Sequence, residues 1–290
     1  MAVTSSLVGR FHQSPVSSLV KRTPGVNRIA GAWWRRVQTR AFEDALRSLP
    51  LPVIPFPAGA LQEKVDVPTP EEIANRNPET IDAGDKFSTE MSAWCSTSKF
   101  VSLGYQDVYG RILSHFRTGP CRVLEVGIGV NDPTVPSGMH AGHAPGSSLR
   151  GWSHYLKDSE VHGADIDVRT LIDTDRYVTH RVDQRDLLSL LELGSLLTAP
   201  IDLAIDDGLH TPEANGKTVA ALLPLISPHG IMIVEDILPE FDFLWESLPV
   251  WLNDAYHVTF YPSRILRQER PPGSESGIAV FTRQIPPPAG

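Results

Sequence analysis

The feature that most constrains the fold of this chain is an alternation of short apolar runs with helical segments, which begins after Pro120. Runs rich in Val and Ile have the length of β-strands: CRVLEVGIG, VHGADID, YVTHRVDQ, IDLAIDDG and GIMIVEDI. The segments between them that have helical composition are SSLRGWSHYL, RDLLSLLELGSLL and TPEANGKTVAALLPLI. Strands that alternate with helices form right-handed β-α-β units, so we expect an α/β fold with helices on both faces of a mostly parallel sheet.

Two further strand candidates, AYHVTFYPSR and SGIAVFTRQ, lie near the end of the chain. The segment that joins them, ILRQERPPGSE, contains no helical pattern, and such a connection is typical of an antiparallel pair. We therefore predict a sheet of about seven strands whose antiparallel terminal hairpin lies at or near one edge.

The region before Pro120 has a different organisation. Helical spacing of apolar residues predicts an amphipathic N-terminal helix over residues 30–49, and the prolines of LPLPVIPFPAG then indicate a linker. A capping threonine and a first-turn proline predict a short helix in TPEEIANRN, and another helix is expected over residues 104–116. The predicted organisation is a basic arm and Pro-rich linker (1–60), a helical cap that shapes the substrate and cofactor sites (61–118), the sheet domain (119–285) and a tail (286–290).

Charge and composition narrow the class of protein. The first 42 residues carry seven Lys or Arg and no acid, so a net charge of −8 for the 290-residue chain leaves −15 for the rest. This arm can be a solvated lead-in, a membrane- or partner-binding arm, or a targeting segment. An acidic body argues against nucleic acid as the main ligand. No apolar run spans a bilayer and the two cysteines form no disulfide framework, so we expect a cytoplasmic location, with homo-oligomerisation left open.

Polar residues stand at the carboxyl ends of five successive predicted strands, where open α/β sheets bind their ligands. The first end offers Gly127 and Gly129 for a tight turn, although the third glycine of the dinucleotide fingerprint is missing. Asp165 is placed to accept hydrogen bonds from a ribose, and Asp183 or Gln184 to contact an adenine edge. Each of these residues, taken singly, can instead be an ordinary cap or turn residue.

The fourth and fifth strands end in acid pairs, in the segments DDGLH and VEDI. Carboxylates that converge in a partly dry cleft repel one another unless a cation neutralises them. Oxygen ligands suit a hard ion, so Mg²⁺ is the first candidate. The alternative is an acidic rim whose aspartates cap helices.

Together these segments, VLEVGIGVNDP…PGSSLRGW…VHGADID…VDQ…DDGLH…GIMIVEDI, resemble class I S-adenosylmethionine-dependent methyltransferases. The resemblance is greatest to the metal-dependent sugar O-methyltransferases of the macrocin and mycinamicin type, and it covers roughly residues 84–284. It implies a Rossmann-like sheet, Mg²⁺ ligands at Asp207, Glu235 and Asp236, and His210 as the catalytic base. The cofactor-binding positions that it implies are Glu125, Gly127, Gly129, Ser147, Asp165, Asp183, Gln184 and Asp206.

Some positions depart from the pattern of that branch. Leu209 stands where a serine is usual, and a second histidine soon after His210 is missing. The loop VNDPTVPSGMHAGHAPG carries His140 and His143, which can bind metal, although a cofactor-covering loop is the favoured interpretation.

The function implied is S-adenosyl-L-methionine- and Mg²⁺-dependent O-methylation of a sugar or glycosylated secondary metabolite, with a small-molecule or glycoside acceptor. Three alternatives stay open at this point: a nicotinamide-dependent oxidoreductase, a metal-dependent hydroxylase on the same fold, and a non-catalytic relative that binds a partner.

Overall fold

The computed structural model describes residues 24–47, 65–95, 100, 103–132, 144–197, 200–248, 252, 256–267 and 275–284. Its helices are α1 (Pro24–Arg47), α2 (Pro70–Ala74), α3 (Pro78–Ser92), α4 (Gln106–Ser114), α5 (Ser147–Tyr155), α6 (Leu187–Leu196), α7 (Pro212–Leu222) and α8 (Asp242–Ser247). Its strands are β1 (Cys121–Val126), β2 (Ser159–Asp165), β3 (Tyr177–Arg181), β4 (Ile201–Asp206), β5 (Ile226–Ile237), β6 (Tyr256–Tyr261) and β7 (Gly277–Arg283).

The strands form one sheet in the order β3-β2-β1-β4-β5-β7-β6. The pairs among β1 to β5 are parallel, and β7 pairs antiparallel with both β5 and β6. The predicted sheet of seven mostly parallel strands with an antiparallel terminal pair is confirmed. The hairpin returns inward, so β7 lies beside β5 and β6 forms the edge.

Two apolar layers cover the sheet. Alternate residues of β4 point to opposite faces, as a strand requires: Leu203 and Ile205 belong to the layer under α3, α4 and α5, and Ala204 to the layer under α6, α7 and α8. Phe42 of α1 joins the second layer, where its ring lies 5.3 Å from that of Trp245. The last turns of the N-terminal helix are therefore part of the core of the sheet domain.

Helix α3 was not among the sequence predictions, and its buried face explains why. That face is Thr80, Gly84, Phe87 and Met91, of which only the last two are large and apolar. A Cβ at Gly84 would lie 2.9 Å from Asp107 Cα, and one at Gly110 would lie 2.7 Å from Gly84 N. The glycines let α3 and α4 approach closely, and they also weaken the apolar period from which a helix is predicted.

Helix α1 begins at Pro24, six residues before the predicted start, and its contact with α7 is specific. Gln38 Oε1 accepts a hydrogen bond of 3.1 Å from the backbone N–H of Glu213, in the first turn of α7.

Among the described helices, none is long and apolar enough to cross a membrane.

Candidate active site

The loops that follow β1 and β4 are packed against each other because these strands are neighbours in the sheet. Gly127 follows β1 with φ +92, and Gly129 has φ +84. A Cβ on Gly127 would overlap the carbonyl oxygen of Asp207 and lie 2.5 Å from Gly208 Cα. The backbone N–H of Asp207 also donates to the carbonyl oxygen of Val126 at 2.8 Å. The loop after β1, residues 127–129 (the glycine loop), is thus packed against the loop after β4, residues 207–210 (the acidic loop).

Asp207, His210 and Asp236 come together at the carboxyl ends of β4 and β5. His210 Nε2 lies 4.0 Å from Asp207 Oδ1 and 3.7 Å from Asp236 Oδ2. One ligand atom from each of the three residues lies within 4.8 Å of the other two. All three side chains are partly exposed, so the cluster is open to a ligand from solvent.

His210 is fixed by the start of α7. Thr211 caps that helix by accepting from Ala214 N, and Pro212 is its first residue. His210 itself has φ +55, a left-handed conformation that is uncommon for a residue with a Cβ. Its Nδ1 is buried without a hydrogen-bond partner among the described residues, while Nε2 faces the two carboxylates.

Asp236 is held by groups from two other elements. The Tyr105 hydroxyl donates to Asp236 Oδ1 at 2.8 Å, and Ser276 Oγ donates to the same oxygen at 2.8 Å. The backbone N–H of Asp236 donates to the Tyr105 hydroxyl at 3.1 Å. Asp236 also has a left-handed backbone, with φ +53. These contacts fix one carboxylate oxygen, and the other faces His210.

Glu235 is fully buried, and the Tyr109 hydroxyl donates to its Oε1. Glu235 does not belong to the cluster formed by Asp207, His210 and Asp236. Burial, together with the charge of Glu235, raises the pKa of Tyr109 well above its usual value, and burial with the charge of Asp236 does the same for Tyr105. Both tyrosines therefore stay protonated and act as hydrogen-bond donors to the acids.

The acid at the end of β2 supports the loop after β1, and the acid near the end of β1 is bonded to α5. Asp165 Oδ2 accepts from the backbone N–H of Ile128 at 3.1 Å, and its Oδ1 accepts from Asp167 N at 3.0 Å. Glu125 is fully buried, and its Oε2 accepts from Ser148 Oγ and from Trp152 Nε1.

Ser147 is the first residue of α5 and is buried. The histidines of the preceding loop, His140 and His143, lie outside the described residues.

Gln184 and Asp206 form a buried link beneath the acidic loop. Gln184 Nε2 donates to Asp206 Oδ1 and to Thr218 Oγ1, and Gln184 Oε1 accepts from Leu209 N at 2.7 Å. Burial raises the pKa of Asp206. Asp183 lies nearer the surface, where Arg185 donates to its carboxylate and holds its pKa below the usual value.

Three residues of the site are not among those predicted from the sequence: Tyr105, Tyr109 and Ser276. The two tyrosines stand four residues apart at the start of the predicted helix 104–116, so they share one face of it. A buried tyrosine requires a hydrogen-bond partner. The spacing of the two tyrosines on this predicted helix was the one signal available. Ser276 precedes the last strand and carries no such signal.

The donor set suits a divalent cation. Carboxylate oxygens such as those of Asp207 and Asp236 are the ligands that Mg²⁺ prefers, and an imidazole beside them can serve as a base. The buried Nδ1 of His210, without a partner in the described part of the chain, marks a residue held in place for something other than internal hydrogen bonding.

No protein-family model matches the chain. Among curated proteins, the 8-demethyl-8-alpha-L-rhamnosyl tetracenomycin-C 2'-O-methyltransferase of Streptomyces olivaceus is 31% identical over 188 residues, which cover 61% of this chain and 47% of that protein. The demethylmacrocin O-methyltransferase of Streptomyces fradiae is 32% identical over 149 residues, with coverages of 51% and 35%. The mycinamicin VI 2''-O-methyltransferase of Micromonospora griseorubida is 31% identical over 150 residues, with the same coverages. The chain spans less than half the length of these relatives.

A solved structure, that of the MycE methyltransferase from the mycinamycin biosynthetic pathway in complex with Mg and SAH, matches with a TM-score of 0.50 and 24% identity. The match covers 68% of this chain and 53% of that one. The chain therefore has the methyltransferase fold, and its relatives in sequence are sugar O-methyltransferases of the macrocin and mycinamicin type, as the resemblance implied.

Proposed function

We propose that this chain catalyses the transfer of a methyl group from S-adenosyl-L-methionine to a hydroxyl of a sugar or glycosylated metabolite, and that the reaction depends on Mg²⁺. The observation that carries the proposal is the convergence of Asp207, His210 and Asp236 where β4 and β5 end. The relatives reported above are sugar O-methyltransferases, which supports the same reaction.

Asp207 and Asp236 would hold the cation, with Glu235 as the predicted third carboxylate ligand. When bound, the cation supplies Lewis acidity that makes a neighbouring hydroxyl of the acceptor easier to deprotonate. Asp207 is fixed for this role by its backbone bond to Val126, and Asp236 by Tyr105. Tyr109 holds the buried carboxylate of Glu235.

His210 would accept the proton of the acceptor hydroxyl at Nε2, the ring nitrogen that faces the acids. Histidine is the side chain that most often serves as a general base in enzymes. The position of the ring follows from the cap of α7, so the base and the acids keep a defined relation. The main contribution of the protein to rate is this alignment.

S-adenosyl-L-methionine would lie beside Gly127 and Gly129, next to the cation site. Its sulfonium centre supplies the methyl group. Asp165 and Asp183 are the residues that we propose to border the donor with their side chains, and Ser147, which is buried at the start of α5, would contribute its backbone. Glu125, Gln184 and Asp206 also belong to the proposed donor site, and because their side chains are buried and hydrogen bonded internally, we expect them to act by shaping it.

We also infer a cytoplasmic location and a small glycoside acceptor in place of nucleic acid. Cys95 and Cys121 are buried thiols that are not joined in a disulfide, which suits a reducing compartment. The net charge of −8 opposes binding to a phosphate backbone.

The test is methyl transfer from tritium-labelled donor to a panel of glycosides, with chain that has been freed of metal and then resupplied with Mg²⁺. We expect tritium to appear in a glycoside only after Mg²⁺ is restored. We expect S-adenosylhomocysteine to bind equally well with and without the metal. Full transfer in metal-free buffer would refute the metal role. Hydride transfer with a nicotinamide cofactor, without methyl transfer, would support the oxidoreductase alternative.

A further inference from the structure

The two oxygens of the Asp236 carboxylate have different surroundings. Oδ1 accepts hydrogen bonds from Tyr105 and from Ser276, each at 2.8 Å. Oδ2 lies 3.7 Å from His210 Nε2, on the side where Asp207 also lies. Hydrogen bonds from the protein to one oxygen of a carboxylate ligand orient the other oxygen toward the metal.

We propose that Tyr105 is a positioning residue that turns Asp236 Oδ2 into the cation site. This inference rests on the proposed function, because it assumes that Asp236 is a cation ligand. Tyr105 touches neither His210 nor Asp207 through any described hydrogen bond, and it acts through Asp236.

The backbone of Asp236 gives a second reason for this role. Its left-handed conformation, φ +53, is unfavourable for a residue with a Cβ unless the surroundings stabilise it. The N–H of Asp236 donates to the Tyr105 hydroxyl, so the same oxygen that orients the side chain also satisfies the backbone. Tyr105 thus controls both the direction of the carboxylate and the conformation of the residue that carries it.

A tyrosine that only fills the core would direct its hydroxyl to any nearby acceptor. The hydroxyl of Tyr105 is fully buried, and its described partners are Asp236, Ser276 and the carbonyl oxygen of Gly277. These partners belong to the end of β5 and the start of β7, where the two strands meet beside the site. The hydroxyl therefore joins the N-terminus of α4 to the acidic end of β5.

Tyr261 offers a matched control for the loss of a buried hydroxyl. Its side chain is fully buried in the same apolar layer, and its hydroxyl donates to the carbonyl oxygen of Pro68, away from the acids. Tyr261→Phe removes one buried hydrogen bond, as Tyr105→Phe does, without touching Asp236. Ser276→Ala removes the second donor to Oδ1 and provides a variant with a smaller change in the core.

The experiment is a titration of the full chain with Mn²⁺ alone, without donor or acceptor, followed by electron paramagnetic resonance, with thermal unfolding of each variant recorded in parallel. We expect Tyr105→Phe to bind Mn²⁺ about 10-fold more weakly than wild type, the lower end of the effect of removing such a partner. Ser276→Ala is expected to weaken binding in the same direction. Tyr261→Phe should unfold at a lower temperature and keep the wild-type affinity.

The outcomes separate the inference from the function on which it rests. Wild-type affinity in Tyr105→Phe, or in Ser276→Ala if the tyrosine variant does not fold, would overturn the positioning role and leave the metal site intact. Equal weakening by Tyr261→Phe would also overturn it, because the effect would then follow stability alone. A wild-type chain that binds no Mn²⁺ would refute the metal site of the proposed function, and the inference with it.

Discussion

Replacing Gly127 by alanine tests whether the glycine loop and the acidic loop are one packed unit. Gly127 has φ +92, and a left-handed backbone costs a residue with a Cβ about 1–2 kcal/mol. The added Cβ would also overlap Asp207 O and lie 2.5 Å from Gly208 Cα. Those atoms are backbone and cannot move aside by a change of rotamer. The total cost is therefore about 2 kcal/mol or more, which for a chain of this size lowers the Tm by about 3 °C or more.

Gly119 is the matched control, because a Cβ there would meet nothing within 4 Å and its φ of −160 is extended. Gly119→Ala should leave the Tm unchanged or raise it slightly. Both variants are compared by thermal unfolding and, below their melting range, by Mn²⁺ titration. We expect Gly127→Ala alone to lose cation affinity, because its Cβ displaces the Asp207 backbone. Equal Tm and equal affinity in the two variants would refute the packing argument.

The remaining predictions concern the acids, the histidine and pH. Asp236→Asn should weaken Mn²⁺ binding at least about 10-fold, equivalent to about 1.4 kcal/mol, without changing S-adenosylhomocysteine affinity. Glu235→Gln should also bind Mn²⁺ more weakly than wild type in the same titration. Unchanged Mn²⁺ affinity in Glu235→Gln would exclude Glu235 as a ligand. His210→Ala should lower kcat by about 100-fold or more with little change in acceptor KM, and unchanged turnover would exclude it as the base. His210→Gly should unfold at a higher temperature than His210→Ala, since glycine adopts φ +55 without strain. Burial raises the pKa of Asp242 from 3.8 to about 6, so the folded chain retains a proton that the unfolded chain releases. This favours the folded state below the unfolded pKa, and the contribution is lost as pH rises through the folded pKa. In urea unfolding between about pH 5 and 7, wild type should therefore lose stability relative to Asp242→Asn, and parallel curves would contradict this.

The strands were predictable because each is a short Val- and Ile-rich run bounded by turn residues, and parallel order follows from the helices between them. The inward return of the terminal hairpin was not predictable in the same way. Its position depends on the pairing of β7 with β5, for example Ile233 with Val280, and either strand of an antiparallel pair can satisfy the local pattern. Helix α3 was missed because packing against α4 places Gly84 where an apolar residue would reveal the period.

The acids of the candidate site were predictable for a topological reason. Parallel strands end at one edge of the sheet, so Asp207 and Asp236 had to lie near one another once β4 and β5 were neighbours. Tyr105 and Tyr109 could not be assigned from the same pattern. Their partners are more than 120 residues away, and the crossing of α4 over the end of β5 decides which acid each hydroxyl meets.

Residues with a strained backbone indicate which positions serve a purpose other than the stability of the fold. Within the described residues, those other than glycine with positive φ are Arg76, His210 and Asp236. Arg76 lies directly after the C-cap of α2, where a left-handed residue ends a helix in the usual way. The other two end no helix, and they bring Nε2 and Oδ2 to within 3.7 Å of each other. Glycine at either position would remove the strain. The presence of a strained histidine and a strained aspartate there indicates that their side chains are required.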